Sequence, residues 1–170
     1  MSQRLHEVSN NGYVWSAVDF PFDSPGRDYV YDMPGDIMYD GRNYIAASNG
    51  NLIASSSDFT KWDVIIENSA GTGSSLGMDT NGRKDVIVGD KLYIASADAG
   101  SDSWMERDSP ATIRDVESVP DYYTICLCDV AANEKTFVAV GARGLVLCST
   151  DGNMWELSQT NVRFWLREVV

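Results

Sequence analysis

The feature that most restricts how this chain can fold is an internal repeat. Three stretches each carry two short apolar segments, then Ser-x-Asp, then a tryptophan a few residues on. The first runs from Asp40-Gly41-Arg42-Asn43-Tyr44 through Leu52-Ile53-Ala54-Ser55-Ser56-Ser57-Asp58 to Trp62. The second runs from Asn81-Gly82-Arg83-Lys84-Asp85 through Tyr93-Ile94-Ala95-Ser96-Ala97-Asp98 to Trp104. The third runs from Asn133-Glu134-Lys135-Thr136-Phe137 through Leu145-Val146-Leu147-Cys148-Ser149-Thr150-Asp151 to Trp155. A period of roughly 40–50 residues marks an array in which each repeat is one supersecondary unit that buries its apolar face against the next. The segments are short, rich in β-branched and aromatic residues, and bounded by turn formers, so each repeat reads as antiparallel strands. The expected fold is all-β: a small or partial β-propeller of four-stranded antiparallel blades.

One domain over residues 1–170 is expected, with repeats at about 36–67, 75–118 and 126–160 and partial repeats at both termini. First strands are placed at 5–9, 37–39, 76–79, 127–131 and 166–170, second strands at 44–47, 85–88 and 137–140. Third strands follow at 52–55, 92–95 and 145–148, and fourth strands at 63–66, 104–106 or 111–116, and 156–158. Asn or Gly in the intervening turns supplies the positive φ that tight hairpins require. Pro21, Pro25, Pro34, Pro110 and Pro120 all fall outside the second and third strands, as central ladder positions demand. Ala46, Ala47, Ala95 and Ala139 suit strands that converge on a crowded axis. The segments 19–36, 68–77 and 107–124 break the rhythm and read as long loops or insertions, with Ser109-Pro110 opening either a short helix or a strand. A chain with first-strand signals at both ends leaves an unpaired edge, which is covered either by the termini meeting in a closed ring or by another chain.

Charge removes several classes of function. With 25 acidic and 13 basic residues the net charge is −12. Affinity for nucleic acid rests on Lys and Arg neutralising phosphates, and an anionic bilayer repels an acidic surface, so neither is an expected partner. No run approaches the ~18 apolar residues of a spanning helix, and the first residues lack an apolar signal core. Synthesis in the cytoplasm without a signal peptide is therefore expected. Cys126 and Cys128, two apart on one strand, face the same side and read as poorly placed to bridge each other, while Cys148 lies in the third strand of that repeat. Free thiols are expected, and with His6 the single histidine, no metal site and no cofactor.

The Ser-x-Asp turn has a local physical role. Its carboxylate accepts backbone N–H groups that the ladder leaves unpaired, and its serine adds another acceptor. The tryptophan folds back over the hairpin, with its indole N–H directed at a carbonyl. Three of the five tryptophans occupy this slot. In these residues the chain resembles the Asp-box family, the bacterial-neuraminidase-type repeat Ser-x-Asp-x-Gly-x-x-Trp of propeller blades. Ser149-Thr150-Asp151-Gly152-Asn153-Met154-Trp155 has its glycine directly after Asp and one residue fewer before Trp; Ser56-Ser57-Asp58-Phe59 carries Phe59 instead; Ser96-Ala97-Asp98-Ala99-Gly100 keeps the glycine, with Trp104 one residue late. The resemblance implies a structural role for Ser56, Asp58, Trp62, Ser96, Asp98, Trp104, Ser149, Asp151 and Trp155, away from any catalytic centre.

Catalysis is not expected. A sialidase-like site needs clustered arginines, an acid/base carboxylate and a tyrosine nucleophile, and although Tyr122 and Tyr123 are present, the Arg-Ile-Pro signature of that family is absent. The recurrent acids Asp19, Asp23, Asp28, Asp32, Asp36 and Asp40, and the stretch Asp79-Thr80-Asn81-Gly82, read as turn formers in preference to calcium ligands. Aromatic residues in or beside irregular segments, Tyr29, Tyr31, Tyr122, Tyr123, Phe164 and Trp165, are the candidate interface. The resemblance to structural-protein-like variants implies a non-enzymatic accessory component of a bacteriophage virion, tail or head, binding protein subunits of a larger assembly, copies of itself included. Two alternatives stand beside it: an assembly factor similar to the photosystem type, and a glycan-binding or sialidase-like propeller fragment.

Overall fold

Short apolar segments bounded by Asn, Asp and Gly form strands here, and the side chains of those turn residues fix where each strand starts. The structure, a computed structural model, describes residues 6–9, 11–18, 34–48, 52–67, 75–111, 125–158 and 160–170. A hairpin of β1 (His6–Val8) and β2 (Ser16–Val18) comes first and forms a sheet of its own. Three four-stranded antiparallel sheets follow, each in simple meander order. The first blade is β3 (Pro34–Tyr39), β4 (Tyr44–Ser48), β5 (Leu52–Ser56) and β6 (Asp63–Glu67). The second is β7 (Ser75–Thr80), β8 (Lys84–Gly89), β9 (Ile94–Asp98) and β10 (Met105–Glu106). The third is β11 (Leu127–Ala132), β12 (Phe137–Gly141), β13 (Val146–Ser149) and β14 (Glu156–Ser158). The fold is all-β and has the arrangement of a partial propeller.

One device opens every blade. Between the first and second strands, a side-chain oxygen of Asp40, Asn81 or Asn133 accepts the N–H groups two and three residues on, at 2.6–3.0 Å. The first strand of each blade also bulges at its start, between Pro34 and Asp36, Ser75 and Gly77, and Leu127 and Asp129. Both features recur at the same ladder positions, and the three blades share one pairing register, residue for residue, along their first three strands.

The core lies between blades. Met38, Ile45, Ala47 and Ile53 of the first blade meet Met78, Ile87, Tyr93, Ala95, Ala97 and Trp104 of the second. On the opposite face of the second blade, Val86, Val88 and Ile94 meet Leu127, Phe137, Ala139, Leu147 and Trp155 of the third. Strand β8 is thus buried on both faces, which explains why Val86-Ile87-Val88 is a continuous apolar run with no polar alternation. Each such fully buried branched side chain contributes about 1.5–3 kcal/mol.

Several sequence expectations need correction. The strands that meet from blade to blade are the first ones, β7 lying against both β3 and β11, so the small residues serve a different end. Ala47, Ala95, Ala97 and Ala139 let neighbouring sheets stack closely face to face. The third strand of the second blade starts at Ile94, because Lys91 and Leu92 are both in left-handed conformation (φ 56° and 62°) and form the hairpin turn, closed by the Tyr93 N–H on the Asp90 carbonyl at 3.0 Å. Leu145 likewise closes a turn over Ala142–Gly144, and β13 starts one residue later. Residues 166–170 form no strand among the described residues, for want of a ladder partner. Among the described residues the termini do not meet in one sheet, since the β1–β2 hairpin joins none of the three blades. Residues 112–116, 68–74 and 19–33, on which other expectations fell, lie outside the described residues.

Candidate functional site

Two Ser-x-Asp turns have the same geometry. In the first blade the Ser56 hydroxyl accepts the N–H groups of Asp58 and Phe59 at 3.3 and 2.9 Å, and Asp58 accepts those of Thr60 and Lys61 at 2.8 and 3.3 Å. In the third, Ser149 accepts from Asp151 and Gly152 at 3.3 and 2.9 Å, and Asp151 from Asn153 and Met154 at 2.8 and 2.9 Å. These N–H groups hold both carboxyls below the usual range, led by Thr60 for Asp58 and by Met154 for Asp151. The residue after each Asp has positive φ, 63° at Phe59 and 71° at Gly152. Phe59 stacks on Tyr44 at 4.1 Å and meets Trp62 edge-on at 5.4 Å.

The second blade departs from this pattern. Strand register places Ala97, not Ser96, opposite Asp85, where Ser56 faces Tyr44 and Ser149 faces Phe137. Ser96 is therefore one residue out of step and points the other way. Its hydroxyl donates to Asn153 Oδ1 of the third blade at 3.2 Å and accepts from Arg107 Nε at 2.8 Å. Asp98 is 80% exposed and pairs with Lys84 Nζ at 2.8 Å, which lowers its pKa. The turn is closed by backbone bonds, the Ser101 N–H to the Asp98 carbonyl at 2.8 Å and the Ala99 N–H to the Arg83 carbonyl at 2.9 Å, and tied to the first blade by the Gly100 N–H donating to Asp40 Oδ2 at 3.1 Å. The spacing carried a signal: Ser to Trp is six residues in the other two blades and eight here. Trp104 nonetheless reaches the core facing the preceding blade, as Trp155 does. The indole N–H of each of these two rings is buried with no acceptor among the described residues, contrary to expectation, because both rings lie in clusters of apolar side chains.

A second recurrent bond links blade to blade. The Met78 N–H donates to Asp36 Oδ2 at 3.1 Å, the Ala132 N–H to Asp79 Oδ2 at 2.7 Å, and the Val169 N–H to Asp129 Oδ2 at 2.9 Å. The Leu166 N–H adds a bond to the Gly141 carbonyl at 3.0 Å. The C-terminal segment is thus docked on the third blade by the bond that docks β7 on β3 and β11 on β7. Asp79 and Asn81 spend their oxygens on backbone N–H groups, so turn chemistry accounts for that acidic stretch.

The candidate interface residues divide. Tyr29, Tyr31, Tyr122 and Tyr123 lie outside the described residues, while Phe164 and Trp165 are 81% and 43% exposed. Val162 and Val170 are exposed beside them in sequence. Arg167 lies over the Trp165 ring at 5.8 Å. Both line a cleft of about 370 Å³ with Leu76, Asp90, Cys126 and Cys128. Sequence reasoning missed this cleft; its two thiols are free as expected, but they are not poorly placed to bridge each other. The bulge that makes Cys128 an extra residue in β11 brings its sulfur to 3.1 Å from that of Cys126. Cys148 is not their neighbour, since β12 intervenes. Among the described residues the cleft lining holds one arginine, Arg167. Among the described residues no group of three or more His, Cys, Asp or Glu side chains could hold a metal ion, and no helix is long and apolar enough to cross a membrane.

A scan against protein-family models finds no match, and no curated protein sequence matches the chain. Among solved structures, one described as YCF48 bound to D1 peptide is similar over 86% of this chain, at 17% identity and a TM-score of 0.39. The chain spans 58% of that protein's length.

Proposed function

We propose that this chain is a non-catalytic protein-binding module, a component of a larger assembly that holds its partner at the C-terminal side of the third blade. The observation that carries this reading is the apolar surface of residues 162–170, where Val162, Phe164, Trp165 and Val170 stand in solvent. Exposed apolar patches mark interaction sites, and buried aromatic anchors supply most of the energy of an interface. The neighbouring sheet face supports the same reading, because Val138, Val146 and Cys148, on the side of the third blade away from the second, are only half-buried. A partner sheet stacked there continues the array as the third blade continues the second. With a net charge of −12, the complementary partner surface is basic.

Of the settings expected from the sequence we propose an assembly factor, and the partner is a distinct protein. A role in a bacteriophage particle draws no support from the fold. The test places a photo-crosslinker at position 162 in the native cell, with light scattering of the purified chain beside it. A discrete crosslinked partner, lost in the Phe164→Asp/Trp165→Asp variant while the thermal midpoint holds, is the expected result. A chain that stays monomeric and gives no crosslink overturns the reading.

A further inference from the structure

The cleft between the second blade, the third blade and the C-terminal segment carries chemistry that the binding reading does not use. We propose that Cys126 and Cys128 form a redox-active dithiol, which reduces a low-molecular-weight disulfide and closes to a Cys126–Cys128 disulfide. Three observations converge on it. The sulfurs are 3.1 Å apart, so a bond of about 2.05 Å needs an approach of only ~1 Å. Both thiols line the same cleft, Cys128 half-buried and Cys126 4% exposed, so one sulfur meets the solvent and the other waits behind it. Their environments also differ in the sense that exchange requires. The hydrogen bond between them favours Cys128 as the thiolate and pushes Cys126 up; the Arg167 guanidinium adds to the first effect, while burial and the nearby Asp90 and Asp129 oppose it.

The exchange balances without another reagent. The Cys128 thiolate attacks one sulfur of the incoming disulfide, whose S–S bond breaks, and the departing thiolate takes a proton from solvent. Cys126 gives its proton to solvent and attacks the Cys128 sulfur of the mixed disulfide, and the second thiolate leaves and is protonated. Two electrons pass from the protein to the substrate, and the two protons taken up are the one Cys126 releases and the one Cys128 lost to solvent on ionising, yielding two small thiols and one protein disulfide. Cys148 is unable to compete, being separated from β11 by β12 and three residues further along the ladder.

The full chain is incubated with graded ratios of oxidised to reduced glutathione, quenched in acid and weighed intact. A loss of two hydrogens' mass, with a linked Cys126–Cys128 peptide and unchanged far-UV dichroism, is expected. The Cys126→Ser variant should stop at a glutathione adduct on Cys128, and Cys128→Ser should react at least tenfold more slowly. Because either serine could disturb the bulge, the wild-type chain supplies a second readout. The pH profile of Cys128 alkylation should lie below that of a free thiol and move up in Arg167→Met. A parallel arm with a protein disulfide, native insulin, separates small-molecule from protein substrates; reaction in either arm supports the dithiol. A glutathione adduct that never resolves in the wild type, linkage through Cys148, or no reaction in either arm overturns the proposal.

Discussion

Asp85 occupies the ladder position that Tyr44 holds in the first blade and Phe137 in the third. Where its counterparts fill space with a ring, it buries a carboxyl, 1% exposed, with neither oxygen in a hydrogen bond among the described residues. Burial raises its pKa to about 6, Asp40 adding to the effect and the nearby Thr80 and Gly100 offsetting part of it. In the unfolded chain the same group titrates near 3.8. Between those values the folded chain keeps a proton that the unfolded chain has released, so the contribution of Asp85 to stability falls as pH rises from about 4 to 6 and is gone above that. A shift of this size corresponds to something on the order of 3 kcal/mol. Asp85→Asn should therefore be more stable than the wild type at pH 7 and equal to it near pH 4, measured by urea denaturation across that range. A variant that keeps the wild-type slope would mean that Asp85 is ionised in the fold. Nothing in the sequence singled this residue out; Lys84-Asp85-Val86 looks like any polar edge of a strand, and the groups brought close to Asp85, Asp40 and Gly100 among them, are distant in sequence.

At the level of strands and turns, the period, the strand order and the hairpin turns were legible because each depends on residues close in sequence. The second-blade Ser-x-Asp was misread for the same reason: its letters match, but they sit one residue earlier on a ladder of the same register, and adjacent residues of a strand face opposite sides. That difference is measurable. Asp151→Ala should cost about 1–2 kcal/mol, the scale of a lost turn or cap bond, and Trp155→Ala about 3–5 kcal/mol. Asp98→Ala, removing one exposed ion pair and no turn, should leave the denaturation midpoint nearly where it was. Equal losses from the two aspartates would contradict the register. The packing of inner strands was not legible, because it depends on how close two backbones come. A methyl group on Gly77 would fall 2.8 Å from the Asp129 Cα, so Gly77→Ala should lower the midpoint sharply, whereas Gly82→Ala, with nothing within 4 Å but a positive φ, should lower it mildly.

Across the described residues, two buried clusters lie between the three four-stranded sheets, a third lies on the first sheet alone, and strand β8 of the middle sheet is buried on both faces. Charge opposes this packing, since 25 acidic against 13 basic residues set up self-repulsion in any compact state. Raising ionic strength from about 0.01 to 0.15 M shortens the screening length from about 30 to 8 Å, and the thermal midpoint should rise with it. A midpoint that stays put or falls would mean that local ion pairs outweigh the overall field. The carboxylates of Asp36, Asp79 and Asp129 add a direction to the array. Each receives a segment that lies later in the chain, so on a ribosome the receiving group always emerges before the segment it will capture. Translation then presents each newcomer with a finished surface, and a growing chain of this design never has to hold an incoming strand in waiting.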